Sequence, residues 1–347
     1  MHETLRIFDT DIVPGERATI DIPLPNLYTH TRMHMPVRVI RGSRPGPRLL
    51  VSAALHGDEI NGVEIIRRLL SASLLDALRG TLIAVPVVNV FGFVAHSRYL
   101  PDRRDLNRTF PGSKSGSLTA RLAHLFLEEL FAKASHGIDL HTGAIHRTNL
   151  PQVRAQIAIP EVRAMAEAFG APVILDSDEL VEGSLRQVAM RRGIPYIVYE
   201  GGEALRFDES AISAGVKGVL ATMRSLAMLP PAKPIRRQPV IARDSSWVRA
   251  PQSGIVRAAK ALGARVAKDE VLAWVSDPFG EQEEAVRARF AGLIVGRINN
   301  PLVNEGEALF HIARLDQPAS ADPQSAERHE ELSVGPDPVD PYAPPPS

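Results

Sequence analysis

The chain contains no cysteine. Disulfides are therefore excluded, and any metal site has to be assembled from His, Asp and Glu. It carries no net charge either, because 40 Lys and Arg balance 40 Asp and Glu. Without a basic surplus nothing marks a polyanion-binding surface, and nucleic acid is not an expected partner. No run of about 18 apolar residues occurs, so no membrane span is expected. The opening residues MHETLRIFDTDIVPGE lack a basic stretch leading into an apolar one. No secretory signal is read there, and the cytoplasm is the expected location.

What the chain does have is length. At 347 residues it exceeds the size at which one core stops growing, and two domains are expected. Hydrophobic residues at 44% and charged residues at 23% are ordinary for a globular protein, so a sizeable core can form. Residues 1–45 read as a β-rich lead-in, with ATIDIPLP and MPVRVIRG as strands. Strands then alternate with helices. PRLLVSAAL (47–55) and TLIAVPVVNV (81–90) are apolar strand-like runs, and residues 60–72 have helical spacing. A helix over 118–134, a strand HGIDLH (136–141), QIAIP, a helix at 161–169, PVILDS, a helix near 184–192, PYIVYE and a helix at 210–228 follow. This alternation predicts an α/β fold with a buried, partly parallel sheet, whose functional groups gather beyond the carboxyl ends of strands.

LPPAKPIRRQP (229–239) breaks the pattern with four prolines and marks a linker. The first domain is accordingly placed at 1–230, the linker at 231–239 and a small all-β barrel or sandwich at 240–314. Within the latter, SGIVRAAKALGARVAKDEVLAWV (253–275) is a weak repeat of AGLIVGRINNPLVNEGEALFHI (291–312). The remainder, 315–347, holds eight prolines among polar residues and is expected to be disordered.

Three constellations carry chemistry. His56 and Glu59 lie where the strand ending at Leu55 gives way to a helix expected to begin between them. His141 ends the strand Ile138–His141, so all three can meet at one sheet edge. Two imidazoles and a carboxylate leave a coordination position open, which is the pattern of a catalytic zinc rather than a structural one. Arg98-Tyr99 and the loop Asp105-Leu106-Asn107-Arg108-Thr109-Phe110-Pro111-Gly112 offer an amide beside a guanidinium fork, suited to a carboxylate. Glu200 closes the strand PYIVYE ahead of two glycines and suits a general base. Each signal has a bland counterpart: a chance His-x-x-Glu, a solvated charged loop, or a loop salt bridge.

Taken together and in this order, the motifs resemble the aspartoacylase and succinylglutamate desuccinylase family of zinc carboxypeptidase-like enzymes. The resemblance covers about residues 45–205 and extends to the trailing β domain. The residues after Glu59, Ile-Asn-Gly, fit it too. It implies a mixed sheet flanked by helices, and one Zn2+ per subunit held by His56, Glu59 and His141. It implies Glu200 as general base and acid, and Arg98 polarising the scissile carbonyl. Asn107 and Arg108 would grip the substrate carboxylate, and Asp139 would stand behind the metal. A further arginine would read the acyl group. Arg186, Arg191 and Arg192 all lie in the right stretch, with Arg186 preferred.

The implied activity is hydrolysis of the amide of a small N-acylated amino acid. A metallocarboxypeptidase acting on a short peptide or cell-wall fragment, and a degenerate zinc-binding scaffold without activity, stand as alternatives. A homo-oligomer is compatible with the sequence. The β repeat resembles half of a lipoyl-type hairpin domain, but no tight turn presents a carrier lysine, Lys268 lying in a different context. A gating or assembly role is therefore expected.

Overall fold

The computed structural model describes residues 4–177, 180–232 and 238–315. The expected tail, from residue 316 on, and part of the expected linker, 233–237, lie outside the described residues.

A hairpin of β1 (Leu5–Ile7) and β2 (Thr10–Ile12) leads into β3 (Arg17–Leu24), β4 (Met33–Arg41), β5 (Arg44–Ala53), α1 (Asn61–Leu70), β6 (Arg79–Val85), α2 (Val90–Val94) and α3 (Leu118–Glu129). Then come β7 (His136–Gly143), β8 (Arg147–Ala155), α4 (Pro160–Phe169), β9 (Val173–Asp176), α5 (Leu185–Arg191), β10 (Tyr196–Glu203) and α6 (Glu209–Ser225). The chain ends in β11 (Val240–Ala242), β12 (Ser245–Arg249), β13 (Gly254–Ala258), β14 (Arg265–Val266), β15 (Val271–Ser276), β16 (Glu283–Arg287), β17 (Gly292–Ile298), β18 (Leu302–Val303) and β19 (Ala308–Arg314).

One large mixed sheet runs in the order β12-β19-β17-β8-β10-β7-β5-β6-β4-β3. Its centre, β10-β7-β5-β6, is parallel. These strands read as nearly unbroken apolar runs because both faces are covered. Leu49, Val51 and Ala53 of β5 pack toward α1, α4 and α6, whereas Leu50 packs toward α3 and α5. The alternation follows from the two-residue period of a strand. β5 connects to β6 on one side while β7 lies on its other side. The connections diverge there, and divergence opens a crevice at the carboxyl ends of β5 and β7. His56 follows one of these ends and His141 stands on the other.

The structure departs from the sequence reading in two places. The helix after β5 begins at Asn61 instead of between His56 and Glu59. Residues 56–59 instead form a turn closed by the Glu59 N–H donating to the His56 carbonyl (3.1 Å). QIAIP is not a strand, and the strand precedes it as β8. Pro151 disguises β8 in the sequence. It sits where the register against β10 slips between Glu200↔Gln152 and Gly202↔Asn149, a bulge that spares the ladder a missing donor. Within the large sheet β17 pairs antiparallel with β8, Gly296 with Asn149 and Ile298 with Arg147.

The repeat in the sequence corresponds to two hairpin-like pairs, β13 with β15 and β17 with β19. Gly254 and Gly292 open the two halves. A Cβ on Gly254 would fall 2.3 Å from the Ser276 carbonyl oxygen, and one on Gly292 2.4 Å from that of Ala313. Close strand approach at both places therefore needs glycine. These strands enclose their own apolar cluster, including Leu272, Val275, Leu309 and Phe310. Among the described residues no helix is long and apolar enough to cross a membrane.

Candidate metal centre

His56, Glu59 and His141 are buried together beyond the ends of β5 and β7, and one ligand atom from each lies within 4.8 Å of the others. His56 Nδ1 is 2.8 Å from Glu59 Oε1, and His141 Nδ1 is 2.7 Å from Glu59 Oε2. The opposite nitrogens are held by carboxylates. Asp139 Oδ2 accepts from His141 Nε2 at 2.7 Å, and Asp105 Oδ1 accepts from His56 Nε2 at 3.2 Å. A carboxylate on Nε2 fixes the proton there and leaves Nδ1 as the lone-pair donor toward the centre. Asp139 is itself anchored, accepting from Ser52 Oγ at 2.7 Å.

Electrostatics favour positive charge at this point. Burial alone would lower His56, but the Glu59 charge and the bond to Asp105 outweigh it and raise its pKa. Burial is likewise overcome at His141, where Asp139 and Glu59 push the pKa well up. Burial would raise Glu59, yet the two imidazoles hold its carboxyl below the usual carboxylate range. The three carboxylates thus favour positive charge here, carried by protonated imidazoles or by a metal ion. Two Nδ1 donors and a carboxylate are the donor set that suits zinc, with no thiolate in the chain to compete.

The group forms the floor of a cavity of about 320 Å3. Glu200 lies on its wall because β10 runs parallel beside β7 with Glu200 in register with His141. Two residues of β8 hold its carboxylate. Arg154 Nε donates to Oε1 at 2.8 Å and Asn149 Nδ2 donates to Oε2 at 2.6 Å. Asn61, the first residue of α1, donates to the Gly201 carbonyl at 3.1 Å and accepts from the Asp208 N–H at 3.1 Å. One amide side chain thereby ties the turn carrying Glu59 to the strand end carrying Glu200. Behind it Gly62 lets α1 approach the sheet, since a Cβ there would lie 2.7 Å from the Cβ atoms of both Ala53 and Leu140.

Arg98 reaches the same cavity. Its Nη2 and Nε donate to Asp105 Oδ2 at 2.9 and 3.1 Å, and its Nη1 to Glu59 Oε1 at 3.2 Å. Asp105 also caps the short turn of residues 106–108 by accepting from the Asn107 N–H at 2.8 Å. Asn107 Oδ1 accepts from the Leu185 N–H at the start of α5 (2.9 Å), which leaves its Nδ2 as the donor available to a ligand. Arg108 lines the cavity from an exposed position and donates to the Asn107 carbonyl at 2.7 Å. The loop seats against Gly183, whose φ of +72° and missing side chain admit the Arg108 carbonyl.

Of the three arginines left open by the sequence, Arg186 lines the cavity, with its Nη1 buried and without a hydrogen-bond partner. Burial first, and Arg154 second, lower its pKa. Arg192 instead pairs on the outside with Glu128 at 2.9 Å, and Arg191 is exposed. All eight residues singled out for the site therefore border one cavity.

Sequence reasoning missed Asp105 as a partner of His56 and Arg98, although it stood inside the quoted motif. It also missed Asn149, Arg154, Arg147 and Trp247 on the cavity wall. The first three belong to the disguised β8, and Trp247 comes from β12, some hundred residues further along.

Known proteins share sequence and fold with this chain. A curated relative, the N-alpha-acetyl-L-2,4-diaminobutyric acid deacetylase of Halomonas elongata, is 28% identical over 294 residues, covering 81% of this chain and 86% of the relative. The product-bound structure of the ectoine utilization protein EutE (DoeB) from Ruegeria pomeroyi superposes with a TM-score of 0.79 at 25% identity, covering 87% of this chain and 97% of the other. A succinylglutamate desuccinylase/aspartoacylase from Rhodobacter sphaeroides has the same fold, with a TM-score of 0.80 at 23% identity over 91% of this chain and all of the other. The family model for the succinylglutamate desuccinylase/aspartoacylase catalytic domain matches residues 45–226, which run from β5, ahead of the His56–Glu59 turn, to just past the end of α6. That span is more than half of the chain and contains His56, Glu59, Arg98, Asn107, Arg108, His141 and Glu200; this protein belongs to the succinylglutamate desuccinylase/aspartoacylase family.

Proposed function

We propose that the protein is a zinc-dependent deacylase that hydrolyses the amide bond of a small N-acylated amino acid. The observation that carries this reading is the buried His56–Glu59–His141 group with Glu200 beside it, in a cavity bordered by five arginines, Arg98, Arg108, Arg147, Arg154 and Arg186. Family membership and the deacetylase relative support the same reading.

His56, Glu59 and His141 would hold the ion. Zinc bound there supplies Lewis acidity at the amide carbonyl and lowers the pKa of water to about 7. Glu200 takes the proton from the attacking water and passes it to the departing amine nitrogen. Arg154 and Asn149 fix the carboxylate for both transfers. Arg98, steadied by Asp105, stabilises the charge that develops on the carbonyl oxygen, a contribution of roughly 3–4 kcal/mol for one well-placed donor. Arg108 and the Asn107 Nδ2 bind the amino-acid carboxylate and so align the amide. Arg186 offers an unspent buried cation to the acyl or side-chain end.

In this reading residues 1–230 form the catalytic unit, and residues 240–314 form a β unit that narrows the cavity through Trp247. The test is a panel of N-acetyl, N-succinyl and N-formyl amino acids beside dipeptides, assayed with the zinc-loaded protein. Release of free amino acid from the acylated panel is expected. Cleavage of dipeptides alone would replace this reading with a carboxypeptidase, and no cleavage with bound zinc would favour a scaffold.

A further inference from the structure

We infer that Gly296, on the C-terminal strand β17, is a positioning residue for Glu200. Having no side chain, it leaves the Asn149 amide the one place from which that amide can hold the Glu200 carboxylate. The inference rests on the deacylase reading for the reaction that Glu200 serves.

Register pairs place four residues in one row across neighbouring antiparallel strands: Asn149 on β8, Gly296 on β17, His311 on β19 and Trp247 on β12. Opposite residues of an antiparallel pair share a face, so Asn149, His311 and Trp247 stand on one side of the sheet with a gap at Gly296. Asn149 and Trp247 border the cavity, and Gly296 is buried in the row between them. The pairing of β17 with β19 slips between Ile294 and Gly296, a bulge that brings Gly296 opposite His311 as well as Asn149.

The Asn149 amide reaches over that gap. Its Nδ2 donates to Glu200 Oε2 at 2.6 Å. A carboxylate only accepts, so the amide is turned with Oδ1 away from Glu200. A Cβ on Gly296 would lie 2.9 Å from this Oδ1 and 3.3 Å from the His311 Cβ. His311 is held in place, stacked on Trp247 with ring centres 4.8 Å apart and planes within 9°, its Nε2 3.0 Å from Ser245 Oγ. The Asn149 amide is the free end of a short side chain, so it is the part that gives way. Moving it lengthens the bond to Glu200. The backbone does not require the glycine, because Gly296 has no positive φ. The missing side chain therefore serves space alone. Arg154, the second support of Glu200, lies beyond the β8 bulge and is independent of Gly296, so part of the hold survives.

The test uses the zinc-loaded protein as wild type, Gly296→Ala, Asn149→Ala and the double variant. Gly296→Ala should lower kcat by about three- to tenfold, with KM and zinc content close to wild type. The double variant should be no slower than Asn149→Ala alone, because the new methyl then has no amide to displace. The side-chain amide signal of Asn149 in asparagine-labelled protein, identified by its loss in Asn149→Ala, reads the bond without turnover. Glu200→Gln and Gly296→Ala should shift that signal in the same direction. If wild type hydrolyses no acylated amino acid yet the signal shifts in this way, the deacylase reading fails and the placement of Glu200 by Gly296 stands. A signal unmoved by Gly296→Ala, or single losses of kcat that multiply in the double variant, would overturn the inference. Loss of the fold in Gly296→Ala would overturn it too, since the amide would then be unable to give way.

Discussion

Glu200 stands in register with His141, on adjacent parallel strands, so the proposed base and a proposed metal ligand are fixed to each other by backbone hydrogen bonds. Their spacing is set by the sheet, while the direction of the Glu200 carboxylate is set from the other side by Arg154 and Asn149. A slip in the β10 registers directly after Glu200, on both neighbours, ends regular pairing where the cavity begins. Bulges of this kind re-aim side chains at sites of chemistry.

Replacing Glu200 by Gln removes the proton acceptor and keeps the shape. The expected result is a loss of kcat by about 10²- to 10⁴-fold with zinc content unchanged. Steady-state kinetics alongside metal analysis check it. A variant that turned over at the wild-type rate would remove Glu200 from the chemistry.

Asp139→Asn keeps a hydrogen-bonding group on His141 Nε2 but removes the charge that enforces the tautomer. Zinc affinity should fall by about 10- to 100-fold, read by competition with a chromophoric chelator. Glu59→Gln, which replaces a direct donor, should lose more. Chelation of the wild type should abolish turnover and lower Tm, because the bound ion stabilises only the folded chain.

Gly62→Ala places a methyl 2.7 Å from both Ala53 Cβ and Leu140 Cβ. α1 has to lift from the sheet, at a cost of about 1–3 kcal/mol. For a domain of this size Tm should fall by roughly 2–4 °C per kcal/mol. Because Asn61 moves with the helix, kcat should fall as well. A melting curve identical to wild type would show that the packing there is looser than described.

His311 makes stability depend on pH. Its pKa is lowered from 6.5 to about 4, chiefly by burial and next by Arg154. Well above pH 6.5 the imidazole is neutral in both states and the contribution is complete. As pH falls from 6.5 toward 4 the unfolded chain takes up a proton that the folded chain refuses, so stability declines, by an amount on the order of 2–3 kcal/mol. Urea unfolding of wild type and His311→Gln across this range should show the wild type losing its advantage as pH drops. Parallel curves would place the imidazole in water.

The Asp105 carboxylate illustrates what a motif conveys and what it hides. Asp-Leu-Asn-Arg is legible as a carboxylate-binding loop, because an amide beside a guanidinium has that chemistry wherever it stands. That Asp105 also fixes His56 and Arg98 depends on a loop folding back 49 residues to reach the turn after β5, which no local pattern encodes. The alternating strands and helices were readable from period and punctuation, as with Leu49–Ala53 and the helix that follows. β8 was not, because Pro151 and polar Asn149, Gln152 and Arg154 break the apolar pattern of a central strand. Of these, Asn149 and Arg154 border the cavity.

Residue types and their spacing were enough for the ingredients: an α/β alternation, a thiolate-free donor set, the order of His56, Glu59, Arg98, Asn107, Arg108, His141 and Glu200, and a repeated β hairpin. Side-chain chemistry and local periodicity are written residue by residue, so they survive in one dimension. It took the folded chain to reveal that β7 lies between β5 and β10, that Arg98 is spent on Asp105 while Arg147 and Arg186 are not, and that Trp247 reaches the cavity. These depend on strand order and on which charges meet across long stretches of chain, and both are settled by packing the whole sheet at once.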